Sequence, residues 1–125
     1  MPGHHDPEGL LGIAHGDYQM ASNMLDASLF PDRGFGFYAQ QCAEKAIKVW
    51  ILRRDGTPPY IHNLEQLLGQ LFELDPDAQR FFHLKDYTPY ATQIRYDADL
   101  ETALPFTRAE TLTELDKLLK HVASL

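Results

Sequence analysis

The sequence predicts an all-α fold, an up-and-down bundle of four to five helices. Apolar residues recur at three- and four-residue intervals over most of the chain, which is typical of amphipathic helices. Two segments carry a capping-box pattern, Asn63 with Gln66 and Thr107 with Glu110, and this pattern marks a helix start. Alternating strand patterns and Asn-Gly hairpin signals are absent from the sequence, so no sheet is expected.

The first half of the chain predicts two long helices. One spans about 8–29 and is ended by Pro31 and Gly34. The other spans about 35–55, with Gly56 as its C-terminal stop.

The second half predicts a helix over 62–74 and a fourth over 75–87. The stretch 88–106 is ambiguous, either a helix continuation or an irregular connection. A last helix opens at Thr107. It is expected to bury five apolar residues, namely Ala109, Leu112, Leu115, Leu119 and Val122.

Length and charge restrict the class of protein. The 125 residues predict a single domain over 1–125, with residues 1–7 as a mobile tail. A formal net charge of -7 argues against a general electrostatic grip on nucleic acid. No apolar run approaches the roughly 18 residues of a membrane span. The single cysteine, Cys42, indicates a reducing compartment, and we expect a cytoplasmic protein.

Motifs for metals, cofactors and nucleophilic catalysis are absent from the sequence. The histidines are scattered, without HExxH or zinc-type spacing, so we expect no metal. Neither GxxxxGK[ST] nor GxGxxG occurs, and no cofactor is expected. Cys42 falls on the apolar side of its predicted helix, which favours a packing role over a reactive thiol.

The helix over 35–55 has two distinct faces. Its apolar face carries Ala39, Cys42, Ala43, Ala46, Ile47, Val49 and Trp50. Its polar face carries Gln40, Gln41, Glu44, Lys45 and Lys48. Taken alone, that polar face is a solvated surface, because Glu44 and Lys48 form a common i,i+4 pair.

Two residues outside this helix have both a functional and a structural interpretation. His62 could act as a general base or contact phosphate, but a polar residue beside a helix start more often fixes the adjoining loop. Arg95, between Ile94 and Tyr96, could bind phosphate through its planar fork, or could pair with a carboxylate and hold a loop.

Taken in order, these elements resemble the HEPN family (higher eukaryotes and prokaryotes nucleotide-binding domain) over roughly residues 8–122. The resemblance rests on an Asp between alanines, an AxQQAxEKxxK-like run, a Pro-containing loop into His-Asn-Leu, and an Arg-Tyr pair. Here these are Ala14, Asp17 and Ala21; Gln40, Gln41, Glu44, Lys45 and Lys48; His62, Asn63 and Leu64; and Arg95 with Tyr96.

The resemblance implies a homodimeric helical bundle that often acts with a small nucleotidyltransferase, as in two-part toxin–antitoxin systems. Many members are metal-independent endoribonucleases that carry an Arg followed by His after four to six intervening residues. None of the six arginines of this sequence has a histidine at that spacing. The sequence is therefore identified with the minimal, non-nucleolytic type.

The leading functional prediction is a non-catalytic module that binds a nucleotide or a partner protein. Lys45 and Arg95 would meet phosphate, Tyr96 would stack on a base and Gln41 would offer amide hydrogen bonds. Lys48 completes this predicted set, with Asp17, Glu44 and His62 as secondary candidates. The alternatives are a ribonuclease with a degenerate site that pairs Arg95 with His62 or His83, and a purely structural dimerisation domain. The last predicts that Gln41, Glu44 and Lys45 pair among themselves or across the dimer, and that no nucleotide shifts the melting temperature.

Overall fold

The computed structural model describes residues 6–91 and 103–125. In these ranges the chain forms four α-helices and one 3₁₀ helix, and no strand. They are α1 (Pro7–Ser22), α2 (Asp32–Arg53), α3 (Leu64–Leu74), the 3₁₀ helix (Pro76–Tyr90) and α4 (Arg108–Ala123). The predicted all-α bundle is confirmed.

Helix α2 is the centre of the bundle, because it packs against every other described helix. Its predicted apolar face is confirmed, since all seven residues of that face are buried. Trp50 is fully buried, and its indole N–H donates to Asp75 Oδ2 at 3.0 Å. Cys42 is also buried, and burial raises the pKa of its thiol well above the usual range. The packing role predicted for this cysteine fits that environment.

Helix α1 is shorter than predicted, and the expected extension to residue 29 is wrong. The helix begins at Pro7, capped by Asp6, and ends at Ser22. Beyond it, Asp26 Oδ1 accepts hydrogen bonds from both the backbone N–H and the hydroxyl of Ser28. Such a local turn competes with helical hydrogen bonding. Leu25 and Leu29, which the helical spacing placed on a buried face, are exposed.

The fourth predicted helix is a 3₁₀ helix of 15 residues, far longer than the usual single turn. Its buried residues recur at every third position: Ala78, Phe81, Leu84, Tyr87 and Tyr90. Three residues per turn place such a set on one face, whereas an α-helix would rotate it away from the core. The three-residue period of the sequence thus matches the helix type.

Helix α4 begins with the predicted capping box, in which Thr107 and Glu110 each bond the other's backbone N–H. The predicted apolar face is buried except for Ala109, which is exposed. Arg108 is buried instead. Its guanidinium donates to the carbonyls of Met24 and Phe30 and to Asp32, so it satisfies the connection that follows α1.

The connection between α2 and α3 is held by backbone and side-chain hydrogen bonds. Asp55 adopts a positive φ of 63°, and the N–H of Gly56 donates to the carbonyl of Ile51. A Cβ on Gly56 would come within 2.6 Å of a Leu74 methyl carbon, so this close approach requires glycine. Gln70 donates to the carbonyl of Thr57. Asn63 caps α3 as predicted, accepting from the N–H of Gln66.

In the part of the chain that the structure describes, no helix combines the length and apolar character that crossing a bilayer requires.

Candidate functional site

A cavity of about 440 Å³ opens between α2, the start of α1 and the connection from α2 to α3. Its lining includes every described residue of the predicted primary site and two of the secondary candidates. From the helices come Leu10, Gln41, Glu44, Lys45, Lys48 and Leu52, and from the connection come Thr57, Pro58, Pro59, Tyr60 and His62. Residues predicted from two separate motifs therefore meet at one site.

The polar face of α2 is a hydrogen-bonded chain and not the solvated surface that its sequence alone predicts. Lys45 Nζ donates to Gln41 Oε1 at 2.5 Å, and Gln41 Nε2 donates to Gln40 Oε1 at 2.7 Å. Gln40 Nε2 donates both to Glu44 Oε1 at 2.8 Å and to the carbonyl of His62 at 3.1 Å. Gln40 is fully buried and has no other hydrogen to offer. It therefore joins α2 to the connection that walls the cavity.

Glu44 is the most buried charged group at the cavity, with 5 % of its side chain exposed. Burial by itself raises the pKa of this carboxyl. Hydrogen bonds from Gln40, Lys48 and His62, with the charge of Lys48, outweigh burial and hold the pKa below its usual value. Lys48 Nζ lies 3.0 Å from Glu44 Oε2. The site thus contains a permanently ionised carboxylate at neutral pH.

His62 faces this carboxylate through one ring nitrogen. Nδ1 lies 3.1 Å from both oxygens of Glu44. Because an ionised carboxylate only accepts hydrogen bonds, Nδ1 carries a hydrogen and donates to Glu44. More than half of the His62 side chain is exposed, so the other ring nitrogen, Nε2, lies at the solvent side of the site. His62 both fixes the connection and offers a polar atom to a ligand.

Asp17 lies beside Lys45, and its carboxylate is stabilised less than that of Glu44. Its Oδ2 is 3.4 Å from Lys45 Nζ, yet this buried oxygen has no hydrogen bond. Burial is the largest influence and raises the pKa of Asp17, against the lowering effect of Lys45. Asp17 is therefore close to Lys45 but does not line the cavity.

Sequence reasoning missed the apolar walls of the cavity. Nothing in the sequence marked Leu10 and Leu52 as cavity walls, and Pro58-Pro59 was noted only as part of a Pro-containing loop before His62. The signal for Tyr60 was weak, since a lone aromatic in a short loop has many uses. The double proline does predict an extended, stiff connection, and such a segment forms a firm wall.

Arg95 and Tyr96, the other predicted site residues, lie outside the described residues. The positions expected for them at the site stay predictions.

One group of described residues could hold a metal by proximity alone, namely Asp75, Asp77 and His121. The carboxylate of Asp75 is already engaged. Its Oδ2 accepts from Trp50 and Arg54, and its Oδ1 accepts from the backbone N–H of Asp77. These bonds account for Asp75 as the cap of the 3₁₀ helix and a link to α2.

A second cavity, of about 320 Å³, lies between the 3₁₀ helix and α4 and contains none of the predicted site residues. In it, His83 Nε2 pairs with Glu114 at 3.0 Å. The ribonuclease alternative offered His83 as a partner for Arg95, and His83 lies at this separate cavity.

Comparison with known proteins identifies the family. A model of the HEPN domain family matches residues 7–125, so the chain belongs to the HEPN family. No curated protein and no solved structure matches the chain.

Proposed function

We propose that this HEPN domain is a non-catalytic module that binds a nucleotide in the cavity beside α2. One observation supports this most directly: five predicted site residues from two motifs line a single cavity of about 440 Å³. They are Gln41, Glu44, Lys45, Lys48 and His62. Small-molecule sites in proteins usually measure about 300–1,000 Å³.

The cavity also separates this proposal from a purely structural role. The structural alternative predicted that the polar residues of α2 pair among themselves, and Gln41 does pair with Lys45. Such pairing would satisfy buried polar groups without any ligand. A structural role does not require an open space lined by those groups, whereas binding of a small molecule does.

A hydrolytic role has less support. The sequence lacks the Arg–His spacing of the family's ribonucleases. His62 is engaged by Glu44 at 3.1 Å, and His83 lies at the other cavity. The proposal therefore assigns the site to binding, with phosphate contact by Arg95 and base stacking by Tyr96 retained as parts of the proposal.

The test is calorimetric titration of ATP, GTP, CTP and UTP into the wild-type protein and a cavity-filling variant. Leu52→Trp fills the cavity and leaves every polar residue in place. Leu29→Trp makes the same change at an exposed position outside the cavity. We expect at least one nucleotide to bind wild type and Leu29→Trp alike, and Leu52→Trp to bind at least about tenfold more weakly. Circular dichroism checks that both variants stay helical.

The proposal fails if wild type binds none of the four nucleotides at about 1 mM, which corresponds to roughly -4 kcal/mol. It also fails if Leu52→Trp binds as tightly as Leu29→Trp, since the ligand would then lie elsewhere.

We further propose that the chain is a homodimer through the open face of α1, defined as Gly12, Ile13, Gly16, Gln19 and Met20. All five residues are exposed, and none carries an ionisable side chain. Two copies of a chain of net charge -7 repel each other, so their contact favours an uncharged face. Ile13 and Met20 are large apolar residues at this face, and the glycines allow a second helix to come close.

The oligomeric state tests this face. Sedimentation velocity should show a dimer for wild type and a monomer for the Ile13→Glu/Met20→Glu variant. Gly16→Ala and the control Gly69→Ala both add a methyl group that meets no atom within 4 Å in the protomer. Each should stabilise its helix by about 0.5–1 kcal/mol. Only Gly16→Ala should weaken the dimer; equal dimerisation of both would exclude close packing at α1.

A small nucleotidyltransferase is the proposed protein partner, as the family resemblance implies, within a toxin–antitoxin-like pair in the cytoplasm. Purification from the native source with mass spectrometry of the co-purifying chains tests this. Recovery of the domain without any nucleotidyltransferase would count against the pairing.

A further inference from the structure

The fixed charges beside the cavity already cancel within the protein. Lys45 lies 3.4 Å from Asp17, and Lys48 lies 3.0 Å from Glu44. Two cations therefore face two carboxylates, and neither lysine contributes an uncompensated positive charge. This arrangement differs from a phosphate site, where clustered cations or backbone N–H groups face the anion.

Releasing a lysine for a phosphate would be costly at this site. Glu44 is almost fully enclosed, and Lys48 provides its charge compensation. Withdrawing that lysine would leave a buried carboxylate without its counter-charge, which is strongly destabilising. A ligand phosphate placed in the cavity would also stand close to the carboxylate itself and be repelled by it.

The remaining walls suit a flat, uncharged group. Leu10, Leu52, Pro58 and Pro59 give apolar surfaces, and Tyr60, which is largely exposed, also lines the cavity. Aromatic rings stack on nucleobases of every kind, because each base has a π face.

Polar atoms at the same cavity match the hydrogen-bonding edge of a base. Gln41 uses one amide hydrogen on Gln40 and one oxygen lone pair on Lys45, so it retains one donor and one acceptor. A side-chain amide with a donor and an acceptor can pair with a base edge. His62 adds a second ring nitrogen, Nε2, and Thr57 a hydroxyl.

From this we infer that the cavity takes the nucleoside part of a nucleotide, with the base between the apolar walls and the phosphates outside. The inference rests on the proposed function and specifies its ligand: the site selects nucleosides and treats the phosphate chain as secondary. It revises the role expected for Lys45, which becomes a support for Gln41 and Asp17 and not a phosphate contact. It also revises the proposed phosphate contact of Arg95, which would add little to the affinity.

Calorimetry with matched ligands tests the inference. Adenosine, guanosine, cytidine and uridine are each titrated beside the corresponding triphosphate, and inorganic tripolyphosphate is titrated alone. For each base that binds, we expect nucleoside and triphosphate Kd values within about threefold of each other, a difference below the tenfold that corresponds to 1.4 kcal/mol. Tripolyphosphate should neither bind nor compete. Raising the salt concentration should change the Kd little, since phosphate contacts are what make binding strongly salt-dependent.

Two variants locate the binding groups. Tyr60→Ala should weaken nucleoside binding by about tenfold, the effect expected when one stacking ring is lost. Lys45→Gln should change nucleoside and triphosphate affinities by the same factor. Lys85→Gln, which removes an exposed lysine that does not line the cavity, is the control and should change neither.

The outcomes separate the inference from the proposed function. If tripolyphosphate competes, or Lys45→Gln weakens only the triphosphates, phosphate enters the cavity and the inference is overturned while nucleotide binding stands. If neither nucleosides nor triphosphates bind wild type, the proposed function itself fails. Binding of nucleosides that Tyr60→Ala leaves unchanged would contradict stacking at this wall and overturn the base placement.

Discussion

Two lysine–carboxylate pairs lie side by side at the cavity, and they differ in how the carboxylate is held. Glu44 accepts hydrogen bonds from Gln40 and Lys48 and faces His62, and its pKa is lowered. Asp17 pairs with Lys45 at 3.4 Å, its Oδ2 lacks a hydrogen bond, and its pKa is raised. Both are poorly accessible to water.

The difference shows that burial alone does not decide the charge state of a carboxyl. Desolvation is the largest single influence on the pKa of both groups, and by itself it would raise both pKa values. The number of donors reverses that effect at Glu44 and fails to do so at Asp17. The ionised form of Glu44 therefore stabilises the fold, whereas the ionised form of Asp17 destabilises it.

The largest expected effect comes from removing the well-held carboxylate. Glu44→Ala leaves Gln40 and Lys48 without their acceptor, and breaking a buried pair in this way costs about 3–5 kcal/mol. Urea denaturation at pH 7 measures the change. The control Asp116→Ala breaks an exposed pair with Lys120 and should cost less than about 1 kcal/mol. Equal losses in the two variants would contradict the distinction.

A second prediction concerns pH. Because the folded pKa of Glu44 is lowered, its stabilisation is fully present above the ordinary value of 4.5 and is lost as pH falls through the folded pKa. Glu44→Gln removes this titration, so its free energy of unfolding should fall less steeply than that of wild type between about pH 5 and pH 3. Asp75, whose pKa is also lowered, contributes equally in both proteins. Identical slopes would show that Glu44 gains nothing from its donors.

The opposite sign is expected at Asp17. A raised folded pKa means that the charged form is disfavoured by folding, a penalty present at neutral pH and relieved as pH falls toward 3.8. Asp17→Asn keeps the shape, removes the charge and should raise the free energy of unfolding at pH 7, by up to about 1 kcal/mol. Thermal denaturation at pH 7 and pH 4 checks it, since the gain should shrink at the lower pH. A loss of stability at pH 7 would mean that the pair with Lys45 outweighs burial.

The smallest expected effect is at His62, whose side chain is mostly exposed. His62→Ala removes one of several donors to Glu44, while Gln40 still holds the backbone carbonyl at residue 62. We expect a loss below about 1 kcal/mol, as for other exposed pairs. Hydrogen exchange should nevertheless show faster opening of the connection over 56–62. Unchanged exchange there would assign the anchoring of the connection to Gln40 alone.

Much of the fold could be predicted from the sequence where local signals agree. The apolar face of α2, the cap at Asn63 and the capping box at Thr107 were all predicted and are confirmed. The end of α1 was predicted wrongly, because the apolar spacing continues to Leu29 while Asp26 and Ser28 form a turn that interrupts the helix. Spacing alone cannot weigh a local side-chain hydrogen bond against a helical one.

The candidate site was predicted in part. Helix α2 repeats a family pattern, which is why the sequence predicted Gln41, Lys45 and Lys48. All three line the cavity. The apolar walls were not predicted, since nothing in a sequence distinguishes a leucine or a proline that packs in the core from one that lines a cavity. Gln40 was expected on a wet surface and is fully buried, because the connection after α2 folds over it.

The sequence by itself determined the helices, the family and which polar residues share one face of α2, because helical period and capping are local properties of the chain. Only the tertiary structure decided that this face is buried or half-buried, that Glu44 is held by several donors and Asp17 by one lysine, and that a cavity opens beside them. These features depend on distances between residues far apart in the chain, such as Gln40 and the carbonyl of His62. No local pattern encodes such a distance; it follows from how the packed helices exclude water.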